Sequence, residues 1–165
     1  MLMRRVVLLC LCALGLACGV PKDPDGTLEH VQGGVMRVGV AVHEPWTSDS
    51  AGQPGGIEPA LVRALAQELR ARVTWVRGGE SVLLPRLHER ELDLVIAGLD
   101  AKTAWKSKIG MTSPYVTLHD ATKRKMVWAV APGENAWQMR VERFLREQKP
   151  NIERATEHVD EMASP

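Results

Sequence analysis

The chain has 165 residues and a formal net charge of +1, from 21 basic and 20 acidic side chains. So even a balance creates no field to attract nucleic acid or an anionic membrane surface, and both are excluded as partners on this ground. The length suits one domain with a real core, and all 3 cysteines, Cys10, Cys12 and Cys18, sit near the start, leaving the rest without a disulfide, a thiolate nucleophile or a cysteine metal site.

Arg4 and Arg5 precede an uncharged apolar run from Val6 to Leu16, followed by Ala17-Cys18-Gly19. A charged start, an apolar middle and a small-residue end predict a signal peptide over residues 1–17. The run is shorter than the roughly 20 apolar residues of a membrane-spanning helix. Leu14-Gly15-Leu16-Ala17-Cys18 resembles the lipobox of bacterial lipoproteins, in which the cysteine sulfur takes a diacylglycerol and becomes the new N-terminus. The resemblance implies lipidation of Cys18 and a periplasmic protein anchored to a cell membrane. Gly19, where inner-membrane lipoproteins carry aspartate, tilts that anchor toward the outer membrane. Ordinary cleavage beside an incidental cysteine is the alternative. Residues 18–34, with Pro21, Pro24 and four glycines, offer little to bury and read as a tether.

A domain is expected over 35–150. Met36 to Val42 reads as a first strand, β-branched and stopped by Pro45. Pro59 suits a first helical turn, and Leu61, Val62, Leu65, Ala66 and Leu69 recur at helical spacing. Val73–Val76 follows as a second strand, Ser81 to Glu89 as a short helix with Leu83, Leu84 and Leu87 inward, and Leu94–Ala97 as a third strand. This β-α-β-α-β order predicts a parallel sheet with right-handed crossovers and covered faces. Past a polar stretch, 117–125, come a strand at Met126–Val130 and a helix from about Ala136 to Gln148, with Asn135 as its cap and Trp137, Val141, Phe144 and Leu145 as its apolar stripe. Residues 151–165 read as a polar C-terminal tail, at most a frayed helix.

In such sheets ligands bind beyond the carboxyl ends of the strands, where strand order reverses. Two stretches should meet there, and they supply the candidate ligand-binding residues: Glu44 and Trp46 after the first strand, Asp100, Thr103 and Trp105 after the third. Indole faces can stack on a flat or cationic solute, and hydroxyl and carboxylate groups can orient a polar one. Covering the end of the sheet is the competing role for both indoles. No catalytic residue emerges, because there is no G-x-S-x-G elbow and no nucleophile with an adjacent base. The glycine pairs lack phosphate-loop or dinucleotide spacing, and His43, His88, His119 and His158 lack the spacing of metal ligands. Neither cofactor nor metal is expected. The charge run Glu89 to Asp93 reads as a solvated face.

With these elements placed, Gly56-Ile57-Glu58-Pro59-Ala60-Leu61-Val62, Arg72-Val73-Thr74-Trp75-Val76, Glu91 to Leu99 and Thr112-Ser113-Pro114-Tyr115 resemble family 3 of the bacterial extracellular solute-binding proteins, the receptors of ABC importers for amino acids and similar polar solutes. The resemblance implies two α/β lobes that close on a solute. Two departures stand out. Trp105 occupies the place where amino-acid receptors of the family carry a carboxylate-gripping arginine, and Met126 to Trp137 resembles the family's return into the first lobe, as though the second lobe had been excised. The expectation is therefore a single three-layer α/β lobe with a mostly parallel sheet. It would bind a small polar solute weakly, or together with an ABC permease or an envelope protein that completes the site. The alternative is a non-transport module that docks a protein partner, marked by an exposed apolar patch around Trp46, Trp105, Tyr115 and Trp128. An enzyme ranks third, by analogy with lytic transglycosylases that carry such a lobe as a regulatory module.

Overall fold

A computed structural model describes residues 22–50, 52–118 and 123–163. The export signal, Cys18 and His119 lie outside these residues.

Strand β1 (Val35–Val40) lies inside the sheet, with a neighbour on each side. Strand β4 (Arg72–Arg77) pairs parallel to it from Val35↔Arg72 to Val40↔Arg77, and β5 (Leu94–Asp100) pairs parallel from Val38↔Leu94 to Val40↔Ile96. Helix α2 (Ile57–Glu68) carries the chain from β1 to β4, and α3 (Glu80–His88) carries it from β4 past β1 to β5. Right-handed crossovers in opposite directions put the two helices on opposite faces. Leu61, Val62 and Leu65 of α2 accordingly enter one core cluster. Leu83, Leu84 and Leu87 of α3 enter the other.

Strand β8 (Lys125–Val130) returns antiparallel beside β5, from Leu94↔Val130 to Asp100↔Met126, and the short strands β6 (Gly110–Met111) and β7 (Val116–Thr117) pair along its far edge. The sheet order is β4-β1-β5-β8-β6. Helix α4 (Asn135–Glu147) buries Trp137, Val141, Phe144 and Leu145 against the α2 face, as their three- and four-residue spacing dictates. The result is a three-layer α/β lobe whose sheet has the expected parallel core, β4-β1-β5, continued by antiparallel strands from β8 outward. A small hairpin, β2 (Ser48–Ser50) with β3 (Gln53–Gly55), leads into α2.

Four local expectations need correction. The stretch read as a tether is docked from Lys22 onward. It forms helix α1 (Thr27–Val31), whose Val31 is buried, and Asp23 accepts the Leu28 and Trp137 N–H groups. Asn135 does not cap α4; that service comes from the distant Asp23 carboxylate. The charge run is not wholly solvated, because Asp93 is buried where the Arg37 guanidinium and backbone N–H and His30 Nε2 meet it. The polar tail is helix α5 (Lys149–Ala163), held by buried Ile152.

Candidate functional site

The carboxyl ends of β1, β4 and β5 lie together at one pole, and α2 and α3 diverge there to opposite faces, which makes it the switch point of the sheet. Beyond β1 the chain turns tightly. The His43 N–H donates to the Thr47 carbonyl at 3.0 Å and to its hydroxyl at 2.7 Å, and the Trp46 N–H donates to the His43 carbonyl at 2.9 Å. This turn leaves Glu44 exposed and drives Trp46 inward. The indole is only 3% exposed and meets the edge of Tyr115 at 6.1 Å. It cannot stack on a solute.

On the other side of β1 a groove of about 350 Å³ runs between Val40–Val42, Asp49 of the hairpin and Arg77–Gly79. Arg77 pairs with Asp49 at 3.3 Å and also donates to the Gly52 carbonyl, folding the hairpin over the end of β4. Arg77 is absent from the sequence candidates because its position at the end of a strand carries no local signal. A larger hollow, about 650 Å³, lies between residues 113–118 and helices α4 and α5. Its rim mixes Glu142, Arg146, Lys149 and Glu153, and the edge strand β7 runs along it, but no residue of β1, β4 or β5 lines it.

Strand β5 is bent where it enters the pole. Its register against β8 shifts between Val95 and Leu99, and Gly98 adopts a φ of 59°. A Cβ there would sit 2.9 Å from the His43 ring and 3.2 Å from Trp46, so the 43–47 turn and the 98–105 loop are brought together on a glycine. Past the bend, Asp100 Oδ1 accepts the Lys102 N–H at 2.8 Å, and the Thr103 hydroxyl accepts the Trp105 N–H at 3.4 Å. Trp105 is half-buried against the α3-side core, with the Lys108 ammonium 5.3 Å from its ring. Glu44, Asp100, Thr103 and Trp105 thus surround the pole, but none of them lines the groove beside Arg77.

Behind the pole lies Glu58, which sequence reasoning had placed only within a family-like run. Its carboxylate is fully buried and accepts the Gly98 N–H at 2.9 Å, the Tyr115 hydroxyl at 2.8 Å and the Trp128 indole N–H at 3.1 Å. Burial pushes the Glu58 carboxyl up to about 7, against the opposing pull of those three donors. Burial and the neighbouring carboxylate push the Tyr115 phenol well above its ordinary range. The available signal was chemical: buried tyrosine and tryptophan need a partner for their polar tips. Of the four residues around which a docking module would expose an apolar patch, Trp46, Tyr115 and Trp128 are buried and Trp105 is half-buried.

The family model of the bacterial extracellular solute-binding proteins, family 3, matches residues 36–157. The chain belongs to this family. As a family 3 protein it has a solute-binding role, and it is built as a single lobe. No curated protein matches it. Among solved structures it is similar to a mutant of the arginine-bound form of domain 1 from TmArgBP, with a TM-score of 0.68 at 20% identity, covering 75% of this chain and 98% of that one. It is also similar to a mutant of ArgBP from T. maritima, with a TM-score of 0.66 at 12% identity, covering 76% and 94%. A third is an ancestral amino acid-binding protein described as a precursor of cyclohexadienyl dehydratase, with a TM-score of 0.65 at 17% identity, covering 75% and 93%. These likenesses show the lobe's fold. Among the described residues no helix is long and apolar enough to cross a membrane.

Proposed function

We propose that this family 3 lobe is an exported receptor, tethered to a cell membrane through Cys18, that captures a small solute bearing both a carboxylate and a cationic group. The observation that carries the reading is the groove at the switch point, where Arg77 and Asp49 lie side by side, 3.3 Å apart. The planar guanidinium suits a solute carboxylate, and the aspartate suits an ammonium or guanidinium. Glu44, Asp100, Thr103 and Trp105, on the loops of the same pole but outside the groove's lining, would meet only a distal part of the solute that extends beyond it. Arg77 thus supplies the grip that Trp105, in the family arginine's place, does not. Arginine is the first probe, because the similar domain 1 is described as arginine-bound while being a lone lobe.

Half a clamshell leaves its solute partly in water, so binding alone should be weak, about 0.1–1 mM. An ABC permease or another envelope protein could supply the missing wall. Isothermal titration of the mature chain with arginine and a panel of amino acids tests the reading. Heat should appear with arginine and drop below detection in Arg77→Ala, while Trp105→Ala should weaken binding by a few-fold. No heat from any solute at concentrations well above 1 mM would sink it. Lipidation has its own check: Cys18→Ser should move the protein from the membrane fraction to the soluble one.

A further inference from the structure

Glu58 lies behind the groove, yet it is bonded to both loops of the pole. Its backbone N–H donates to the Trp46 carbonyl at 2.9 Å, fastening the start of α2 to the 43–47 turn. Its Oε2 accepts from Gly98, the residue at which β5 leaves register with β8. A bulge takes a backbone donor out of the ladder, and a buried donor without an acceptor is costly. Glu58 provides that acceptor, so the bend is stable where it is. Tyr115 and Trp128 converge on Oε1 and fix the carboxylate's orientation. An apolar side chain of similar volume could fill the space but could not hold the bend.

We infer that Glu58 is the positioning residue of the solute site: its carboxylate sets the path of the 98–105 loop through Gly98, while its backbone N–H ties the start of α2 to the turn that presents Glu44. The inference rests on the reading of the strand-end pole as the site. Its carboxylate sits in the first turn of α2, where the helix dipole favours negative charge. The titratable side chains set around this node among the described residues are Tyr115, which donates to it, and His43, whose ring packs on Gly98. Trp46 and Trp128, the other neighbours, carry no charge. With a carboxyl at about 7, the proton on Glu58 exchanges in the neutral range and can be followed directly.

The test is ¹⁵N NMR of the folded chain, wild type and Glu58→Gln, together with arginine titrations. Tyr115 and Trp128 claim the glutamine's single acceptor, so its NH₂ group must face the Gly98 N–H. Backbone shifts should therefore change most at 98–105, reach 43–47 only through the His43 and Trp46 rings beside Gly98, and stay unchanged in α1 and α3, and arginine affinity should fall about tenfold. In the wild type the Gly98 amide and Trp128 indole signals should titrate together with a midpoint near 7. A folded Glu58→Gln chain with the 98–105 loop unshifted overturns the inference. If that variant does not fold, Glu58→Asp decides: its shorter side chain draws the carboxylate back from the Gly98 N–H, so an unshifted 98–105 loop there overturns the inference. A wild type that ignores arginine while its loops respond to Glu58→Gln would remove the proposed ligand and leave the positioning role standing.

Discussion

The Glu58 carboxyl binds its proton more tightly in the folded chain, at about 7, than the ordinary 4.5 of an exposed glutamate. Between those values the native state therefore holds more protons than the unfolded one, and stability declines as pH rises. The group's contribution is fully favourable below about 4.5, falls through the window and levels off above about 7, a span on the order of 3 kcal/mol. Glu134 runs the other way. Burial opposes its charge, but the Thr27 and Asp25 N–H groups and Arg90 outweigh that and lower its carboxyl, so its contribution is lost only in acid. Urea midpoints at pH 5 and pH 7.5 should show the wild type more stable at pH 5, with that difference largely removed in Glu58→Gln. Gly98→Ala should cost about 1–2 kcal/mol through its positive φ alone, plus the displacement of His43 and Trp46. The residue string hints only that buried tyrosine and tryptophan need a polar partner, not which residue it is. Glu58 is one acid in an amphipathic helix, and its three donors come from distant parts of the chain.

Element by element, the strands and core helices were legible because their signals are local. Leu61, Val62 and Leu65 repeat at helical spacing, and unbroken runs such as Leu94 to Ala97 announce a strand covered on both faces. The segment before β1 failed for the complementary reason. Its prolines, glycines and aspartates look like a linker locally, but its partners lie far along the chain: Glu134 accepts the Asp25 and Thr27 N–H groups, and Asp23 accepts the Trp137 N–H. It acts as a clip across the pole opposite the groove. Asp23→Ala removes the only side-chain acceptor at the start of α4 among the described residues and should cost about 1–2 kcal/mol in urea unfolding. Hydrogen exchange should then show lost protection in α1, with β1 and β5 unaffected. A loss spread evenly over the sheet would mean the clip is not a separate unit.

For the whole molecule, one lobe retains the switch point of a solute-binding fold. The crossovers of α2 and α3 to opposite faces fix where that pole lies, and this much followed from the β-α-β-α-β order. What the order could not give was the occupant of the groove, because Arg77 and Asp49 meet only when the hairpin folds over β4. The core beneath is well filled, and Trp137→Ala, which also strips the Asp93 carbonyl of an indole donor at 2.8 Å, should cost about 3–5 kcal/mol without moving the site. The most direct test of the central claim is a ¹⁵N shift map of the mature chain titrated with arginine. Saturable shifts confined to residues 40–49, 77–80 and 98–105 are predicted. Shifts confined instead to the hollow between residues 113–118 and helices α4 and α5, or no saturable shifts at all, would contradict it.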